Sequence, residues 1–353
     1  MNLLNGIKVI DLSSVLAGPS VGSFLAELGA DVIKLENPKG DVTRGWKLPS
    51  EQTDAPVSAY YASVNYRKKI AHLDLRNPDE LKRLHQYIRE ADVLLDNFKA
   101  SDLIKFGLTS DDTKALNPRL IHCHLAGFKF ETERVAYDVV LQAETGFMFM
   151  NGEKGGVKMP VAMMDVLAAH QMKEAVLLAL YQREKTGKGA YIHATLEEAG
   201  ISSLVNQGAN YLMAGHVPQP MGSKHPNIAP YGDIFPCNDG KDIVLAIGSE
   251  KQFQLFVDHI GLSELAKDNR FHSNGERVKN REALCEALAK GIQQHSSVPL
   301  LSWCHENKVP AGAIKNLEDV AKNPTAQSMI REEEIEGVAT RRFSSVAFSI
   351  EPF

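Results

Sequence analysis

The first 35 residues of the chain contain a strand–helix–strand pattern that constrains the fold more than any other feature. Residues 7–12 are apolar and β-branched, as in a buried strand, and residues 30–35 have the same character. Between them, residues 13–19 are typical of a loop with a Gly-Pro turn, and residues 20–28 carry apolar side chains at helical spacing. Because strand, helix and strand in so short a span form a crossover unit, the pattern predicts the start of a parallel sheet.

The alternation of strands and helices continues through residue 126. Residues 69–75, 91–95 and 120–126 are strand-like, and the sequence Asn-Pro-Asp-Glu at 77–80 begins a helix that runs to residue 89. This pattern predicts an α/β protein whose large domain is a Rossmann-like doubly wound parallel sheet. Three further elements are predicted: a long buried helix over 166–181, a strand over 190–195 and a helix over 197–211.

A run rich in proline and glycine marks a change of character near residue 218. Residues 217–232 hold four prolines and two glycines, which favours an extended connection. A strand and three helices are predicted after it, over 242–247, 250–260, 281–292 and 299–306. We therefore predict a large domain over 1–217, a linker and a smaller α/β domain over 218–312, and a return to the large domain over 313–353.

Composition excludes several classes of function. The formal net charge of −5 gives no general attraction for nucleic acid or for an anionic membrane. The four cysteines are far apart and show no metal-binding spacing, which favours a reducing compartment, and we expect a cytoplasmic protein. Neither a signal peptide nor a membrane-spanning segment is expected.

The common nucleotide and hydrolase motifs are absent from the sequence. No GxGxxG follows the first strand, so a nicotinamide cofactor is not supported, and neither GxxxxGK[ST] nor GxSxG occurs. His122 and His124 have no third metal ligand nearby in sequence. We interpret them as strand residues that share one face rather than as metal ligands, and no metal site is predicted.

One carboxylate has a position that suits either structure or chemistry. Asp165 follows the segment Pro-Val-Ala-Met-Met at 160–164 and directly precedes the long apolar helix. Aspartate is a favoured helix N-cap residue, and spacing alone favours that structural interpretation over catalysis.

Segments along nearly the whole chain match one enzyme family in order. The opening LNGIKVIDLSSVLAGPSVGSFLAELGADVIKLENPKGDVTRGW resembles the N-terminal signature of class III CoA-transferases, the CaiB/BaiF family that includes formyl-CoA and carnitine CoA-transferases. Further matching segments are NYRKK with LDLR, ADVLLDNF, NPRLIHCHLAGF, AYDVVLQAETG, REKTGKGAYIHATLEEA, GSKHPNIAPYGDIFPCNDG and VPAGAI. Such an ordered set is far more specific than any single motif.

The resemblance implies a covalent mechanism and an unusual assembly. Asp165 matches the family's nucleophile, so CoA transfer would pass through an aspartyl anhydride and an aspartyl-CoA thioester. Coenzyme A and acyl-CoA would be substrates, with no tightly bound cofactor. The family assembly is a homodimer in which each ring-like subunit threads through the other.

Family positions that contact CoA can be carried over residue by residue. They match Val15, Leu73, Arg76, Asn97, Phe98, Lys105 and Tyr137, and Arg76 and Lys105 are suited to pairing with phosphates. Three departures also fall at the site. Leu16 stands where formyl-CoA transferase has a glutamine, and Asn37 and Val135 replace basic residues, so oxalate or formate specificity is not expected.

Two other functions share the same fold or the same ligand. A 2-methylacyl-CoA racemase uses a histidine where this chain has Tyr137, and tyrosine, with an ordinary pKa of about 10, is a poor base at neutral pH. A CoA-binding protein without catalysis would need Asp165 only as a helix cap. Among these functions, the sequence favours the transferase, and the identity of its donor and acceptor acids stays open.

Overall fold

The computed structural model describes residues 2–351, and this part of the chain alternates strands with helices. The strands are β1 (Lys8–Asp11), β2 (Asp31–Glu36), β3 (Lys68–His72), β4 (Val93–Asp96), β5 (Ile121–Ala126), β6 (Ala190–Thr195), β7 (Tyr231–Pro236), β8 (Asp242–Ala246), β9 (Ala311–Ala313), β10 (Ile330–Ile335) and β11 (Val338–Phe343). The helices are α1 (Ala17–Glu27), α2 (Ala59–Ser63), α3 (Pro78–Glu90), α4 (Ala100–Phe106), α5 (Ser110–Leu116), α6 (Asp138–Glu144), α7 (Phe147–Met150), α8 (Met163–Thr186), α9 (Leu196–Ser202), α10 (Val205–Ala214), α11 (Glu250–His259), α12 (Asn274–Lys279), α13 (Arg281–Ile292), α14 (Ser297–Glu306), α15 (Leu317–Ala321) and α16 (Pro324–Met329).

The largest sheet has six parallel strands in the order β3-β2-β1-β4-β5-β6. Strand β1 pairs with β2 on one side and with β4 on the other, so the order reverses at β1. This is the doubly wound α/β sheet predicted from the sequence. In such sheets, ligands bind outside the carboxyl ends of the strands at the reversal point.

Both faces of this sheet are buried under helices, which explains why its strands are apolar runs rather than alternating ones. Val9 and Val93 belong to the core on the side of α1 and α8, whereas their neighbours Ile10 and Leu94 face the core that includes Leu84 of α3. Adjacent strand residues thus point to opposite cores, as the pleat requires.

Packing divides the described chain into two compact units. Within the described residues, the first comprises 2–148, 158–218 and 324–351, and the second comprises 149–157 and 219–323. The second unit has a three-stranded antiparallel sheet in the order β7-β8-β9 and its own apolar core. The domain boundaries predicted from the sequence stay a prediction, and the last two residues of the predicted C-terminal segment lie outside the described residues.

One helix prediction is wrong at its start and another in its interior. Helix α1 begins at Ala17 rather than at residue 20, because proline is tolerated in the first turn of a helix, where its missing N–H needs no partner. The helix predicted over 197–211 is broken into α9 and α10 near Leu204, and Val205 has a φ of 38°. Within residues 2–351, no helix is long and apolar enough to cross a membrane.

Candidate active site

Asp165 lies in the first turn of α8, but it does not cap the helix. The residue that precedes the helix is Ala162, and no side chain caps this end. The prediction of an N-cap at Asp165 is therefore wrong, because the helix begins two residues before it. Among residues 2–351, the Asp165 carboxylate accepts no hydrogen bond and forms no salt bridge, although the residue is only 8% exposed. A buried carboxylate without partners costs free energy, which makes the site a candidate for chemistry.

A second carboxylate acts on Asp165 through its charge. Burial and the negative charge of Asp138 raise the pKa of Asp165 to about 7. Asp138 is held in place because its two carboxylate oxygens accept the Met164 backbone N–H at 2.7 Å and the Gln142 amide at 2.7 Å. Near pH 7, the Asp165 side chain is thus divided between its neutral and ionised forms.

Asp165 lies on the wall of a cavity of about 330 Å³ at the carboxyl ends of β1, β4 and β5, which we call the acyl cavity. It contains the predicted residues Val15, Leu16, Asn97, Phe98 and Tyr137 together with Asp165. The position is the reversal point of the strand order, where ligand sites of this fold class occur.

A second cavity, of about 610 Å³, lies within the same unit and shares part of its wall with the first; we call it the nucleotide cavity. It contains the predicted residues Asn37, Leu73 and Arg76, and Asn97 and Phe98 line both cavities. The volumes suit ligands of the size of small cofactors.

Lys105 is the one predicted site residue that lines neither cavity. It lies on α4 with its ammonium 5.4 Å from the ring centroid of Phe106, which lines the nucleotide cavity. Arg76, in contrast, lines the cavity but is engaged by Asp74 through bonds of 2.8 and 2.9 Å. The pKa of Asp74 is lowered by the hydrogen bonds from Arg76 and, more weakly, by the charge of Lys105.

Several cations that the sequence did not single out line the two cavities. Lys39 lines the nucleotide cavity, Lys99 lines both, and Arg134 lines the acyl cavity. Within the described residues, Lys39 and Lys99 form no salt bridge, whereas Arg134 pairs with Glu131 and Glu144. Lys39 and Arg134 lie within two residues of Asn37 and Val135, the two positions where the resemblance implies basic residues in other family members.

Tyr60 of α2 is a further residue that sequence reasoning missed. Burial and the negative charges of Asp165 and Asp138 raise the pKa of Tyr60 to about 12. The ring packs edge-on against Trp46, with ring centroids 5.1 Å apart. Its hydroxyl therefore stays protonated at neutral pH and is available as a hydrogen-bond donor near the two carboxylates. A tyrosine on a five-residue helix, next to a second tyrosine, gives no signal in the sequence.

The two histidines of β5 share one face and bind the same carboxylate, which agrees with their interpretation as strand residues. His122 Nε2 lies 2.7 Å from one oxygen of Asp96, and His124 Nδ1 lies 2.8 Å from the other. Burial alone would raise the pKa of Asp96, but the hydrogen bonds to the histidines lower it. Asp96 also accepts the backbone N–H of Phe98 at 3.1 Å, so this cluster fixes the turn that carries Asn97 and Phe98.

Known proteins share both the sequence and the structure of this chain. The profile of CoA-transferase family III matches residues 4–349. A succinate–glutarate CoA-transferase of Agrobacterium fabrum is 36% identical over 92% of this chain and 83% of its own length. A human succinyl-CoA:glutarate CoA-transferase is 33% identical over 91% of this chain and 74% of its own length.

A solved structure extends the likeness to three dimensions. The crystal structure of a CAIB/BAIF family protein from Brucella suis superimposes with a TM-score of 0.86 at 36% identity, over 98% of this chain and 92% of that one. The match spans the Rossmann-like sheet and the segments that line both cavities. The chain belongs to CoA-transferase family III and is a CoA-transferase that moves CoA between an acyl-CoA and a carboxylic acid.

Proposed function

We propose that the CoA transfer catalysed by this protein passes through Asp165 as the nucleophile. One observation carries this proposal: Asp165 is a buried carboxylate without a partner among the described residues, and it faces the acyl cavity. A helix cap, the structural alternative, would have its oxygens engaged by backbone N–H groups of α8. The free carboxylate is instead available to attack a bound thioester.

The reaction proceeds in four displacements that balance without water or net proton transfer. An oxygen of Asp165 attacks the donor carbonyl carbon, and the C–S bond breaks to give a mixed anhydride and CoA thiolate. The thiolate attacks the aspartyl carbonyl carbon and releases the donor acid, which leaves an aspartyl-CoA thioester. The acceptor carboxylate attacks this thioester and expels the thiolate, which gives a second anhydride between the acceptor and Asp165. The thiolate then attacks the acceptor carbonyl carbon, and the bond from that carbon to the bridging oxygen breaks, so the oxygen stays with Asp165. The products are the new acyl-CoA and the free Asp165 carboxylate.

The environment of Asp165 suits this chemistry in two ways. A carboxylate with a pKa of about 7 is more basic than an ordinary one and therefore a stronger nucleophile in its ionised form. Burial also limits the access of water, which would hydrolyse the anhydride. A thiolate that remains bound attacks as an intramolecular partner, which accounts for much of the rate of such steps.

We place the nucleotide part of CoA in the nucleotide cavity and its thioester end in the acyl cavity. The ammonium groups of Lys39 and Lys99, which form no salt bridge within residues 2–351, supply positive charge there. The Arg76 guanidinium joins them if phosphate displaces Asp74. Asn97 and Phe98 line both cavities and would contact the middle of the molecule. A racemase is not proposed, because Tyr137 lines the acyl cavity where that reaction needs a base.

The acids are proposed to be short dicarboxylic acids. Two relatives of this chain are named for succinate and glutarate. Lys99 on the wall of the acyl cavity, which forms no salt bridge within residues 2–351, would favour a substrate that keeps one free carboxylate, whereas Arg134 would first have to leave Glu131 or Glu144. Leu16 lines the same cavity and offers apolar contact to the methylene chain between the two carboxyl groups.

We also propose that the protein is a homodimer. Helix α10 buries none of its side chains in the described chain, and Val205, Leu212 and Met213 are 73%, 83% and 88% exposed. An apolar helix that exposed is expected to be covered by another protein surface. A cytoplasmic location fits the cysteines, all four of which are free.

Substitution of the nucleophile, followed by chemical trapping, tests the catalytic proposal. Asp165→Asn should retain CoA binding and lose transfer between succinyl-CoA and glutarate, because an amide cannot form the anhydride. In the unsubstituted protein, hydroxylamine added during turnover should convert Asp165 to a hydroxamate that peptide mass spectrometry detects. Asp54→Asn, which changes an exposed carboxylate of the same unit, is the matched control. Full transfer activity in Asp165→Asn would contradict the proposal.

A further inference from the structure

The turn between β1 and α1 has a backbone conformation that its sequence does not favour. Val15 has a φ of 72°, in the left-handed region. A β-branched side chain rarely adopts this conformation, and such residues persist only where their surroundings hold them. Val15 lines the acyl cavity, and Ser14 lines both cavities, so the shape of this turn sets part of the wall of each.

Three polar side chains form hydrogen bonds with the backbone of Ser13, Ser14 and Val15. The Lys34 ammonium donates to the Ser13 carbonyl oxygen at 2.7 Å, and the Asp41 carboxylate accepts the Val15 N–H at 3.2 Å. Between them, the side chain of Asn97 accepts the Ser14 N–H and donates to the Ser14 carbonyl oxygen, each at 3.0 Å. The peptide groups that lead into the left-handed residue are thus held by three side chains.

Lys34 and Asp41 also form a buried ion pair with each other. The ammonium and the carboxylate are 3.3 Å apart, and both side chains are 1% exposed. Buried ion pairs often add little net stability, because the desolvation of both charges opposes their attraction. A buried ion pair is better explained by the single conformation that it selects for the groups around it.

We propose that Lys34 and Asp41 are positioning residues for CoA transfer, whose ion pair holds the Ser13–Val15 turn in the conformation that both cavities need. Both residues also lie on the wall of the nucleotide cavity, but their side chains are 1% exposed, so they act through the backbone of the turn rather than by contact with acyl groups. This inference rests on the proposed function, because it takes the two cavities as the sites of CoA and of its acyl end. Disengaging the pair should let Val15 leave the left-handed region and narrow or distort both cavities.

Asp41→Asn is the sharpest single perturbation of this arrangement. One oxygen of Asp41 accepts the N–H and hydroxyl of Thr43 at 3.0 and 2.8 Å, and the other serves Val15 and Lys34. An asparagine side chain has only one carbonyl oxygen. It can therefore accept hydrogen bonds either from Thr43 or from Val15 and Lys34, and its NH₂ group faces the other set of donors. The ammonium of Lys34 and the N–H of Val15 then compete for fewer acceptors.

A double-mutant cycle with Val15→Gly separates positioning from simple loss of stability. Glycine adopts the left-handed conformation without strain, so this conformation does not depend on the hydrogen bond from the N–H of residue 15 to Asp41. Calorimetric titration with coenzyme A should show that Asp41→Asn weakens binding about tenfold when Val15 is present, which corresponds to about 1.4 kcal/mol. In the Val15→Gly background, the same change should weaken binding threefold or less.

Thr43→Val supplies the matched control. It removes the hydroxyl that contacts Asp41 from the other side and leaves the Val15 contact in place. Its effect on CoA binding should be the same in both Val15 backgrounds. If Asp41→Asn fails to fold, the double variant Lys34→Met, Asp41→Asn carries the same cycle, because it leaves no unpaired buried charge at this pair.

The outcomes distinguish this inference from the proposed function. An equal loss of CoA affinity in both Val15 backgrounds, or no loss in either, overturns the positioning role even if Asp165 is trapped as a hydroxamate. Coupling between positions 15 and 41, together with full transfer activity in Asp165→Asn, retains the positioning role and overturns the covalent mechanism. Coupling with a trapped Asp165 supports both.

Discussion

Replacing the buried carboxylate should make the protein more stable at neutral pH, although it removes activity. Burial and Asp138 raise the pKa of Asp165 from 3.8 to about 7. Folding therefore favours the protonated form of Asp165. This group does not lower the free energy of unfolding below pH 4, and it lowers that free energy increasingly as the pH rises to 7. Asparagine carries no charge at any pH and escapes this penalty.

The magnitude comes from the difference between the pKa values of Asp165 in the unfolded and folded protein. A tenfold change in an acid dissociation constant corresponds to about 1.4 kcal/mol, and the roughly thousandfold change here gives an upper limit of ~4 kcal/mol. Loss of a negative charge in the first turn of α8 removes about 0.5 kcal/mol of favourable interaction with the helix dipole. We therefore expect the free energy of unfolding of Asp165→Asn, relative to the unsubstituted protein, to rise by about 2–4 kcal/mol between pH 4 and pH 8.

Denaturant unfolding at a series of pH values measures this difference directly. The two proteins should differ by a constant amount below pH 4, diverge between pH 4 and 7, and differ by a larger constant amount above pH 8. In thermal unfolding, the gain at pH 8 corresponds to roughly 5–10 °C in Tm. Asp54→Asn, at an exposed position, should run parallel to the unsubstituted protein. Parallel curves for Asp165→Asn across the whole range would refute the reasoning.

Three further predictions concern the surroundings of Asp165 and the CoA site. Asp138→Asn should lower the pKa of Asp165 and move the acidic limb of the pH profile of kcat/KM to lower pH; an unmoved limb would assign the raised pKa to burial alone. Lys39→Ala should weaken CoA binding roughly threefold in calorimetry, less so at high salt, because an exposed ammonium pairs weakly with phosphate. Gly18→Ala should weaken CoA binding about tenfold and lower Tm, since its Cβ would lie 2.3 Å from a side chain of the turn before α1, whereas Gly45→Ala meets no neighbouring atom and should change neither.

The sheet was predictable because its strands and crossover helices repeat one simple pattern. Residues 7–12 and 30–35 correspond to β1 and β2, and the apolar character of these segments reflects burial on both faces. The start of α1 was less predictable, because Gly18-Pro19 satisfies the rules for a turn and for a first helical turn equally well. Local sequence does not choose between them; the packing of α1 against the turn does.

Residues of the site were predictable only where a local sequence pattern marks them. Asp165 stood out by its position before a long helix, but spacing alone gave it the role of a cap that the structure does not show. Tyr60 and Asp138 approach Asp165 from α2 and α6, and that proximity exists only in the folded chain. The hold of Lys34 and Asp41 on Val15 likewise joins residues from three separate segments.

The most direct test of the covalent account follows an oxygen atom. With succinyl-CoA as donor and glutarate labelled with oxygen-18 in its carboxylates, one labelled oxygen should pass to Asp165 when the acceptor anhydride is cleaved. Mass spectrometry of the peptide that contains Asp165 should show one heavy oxygen after a single turnover, and further turnovers should carry label into the released succinate. Transfer of CoA with no label in that peptide and none in the released acid would contradict the account.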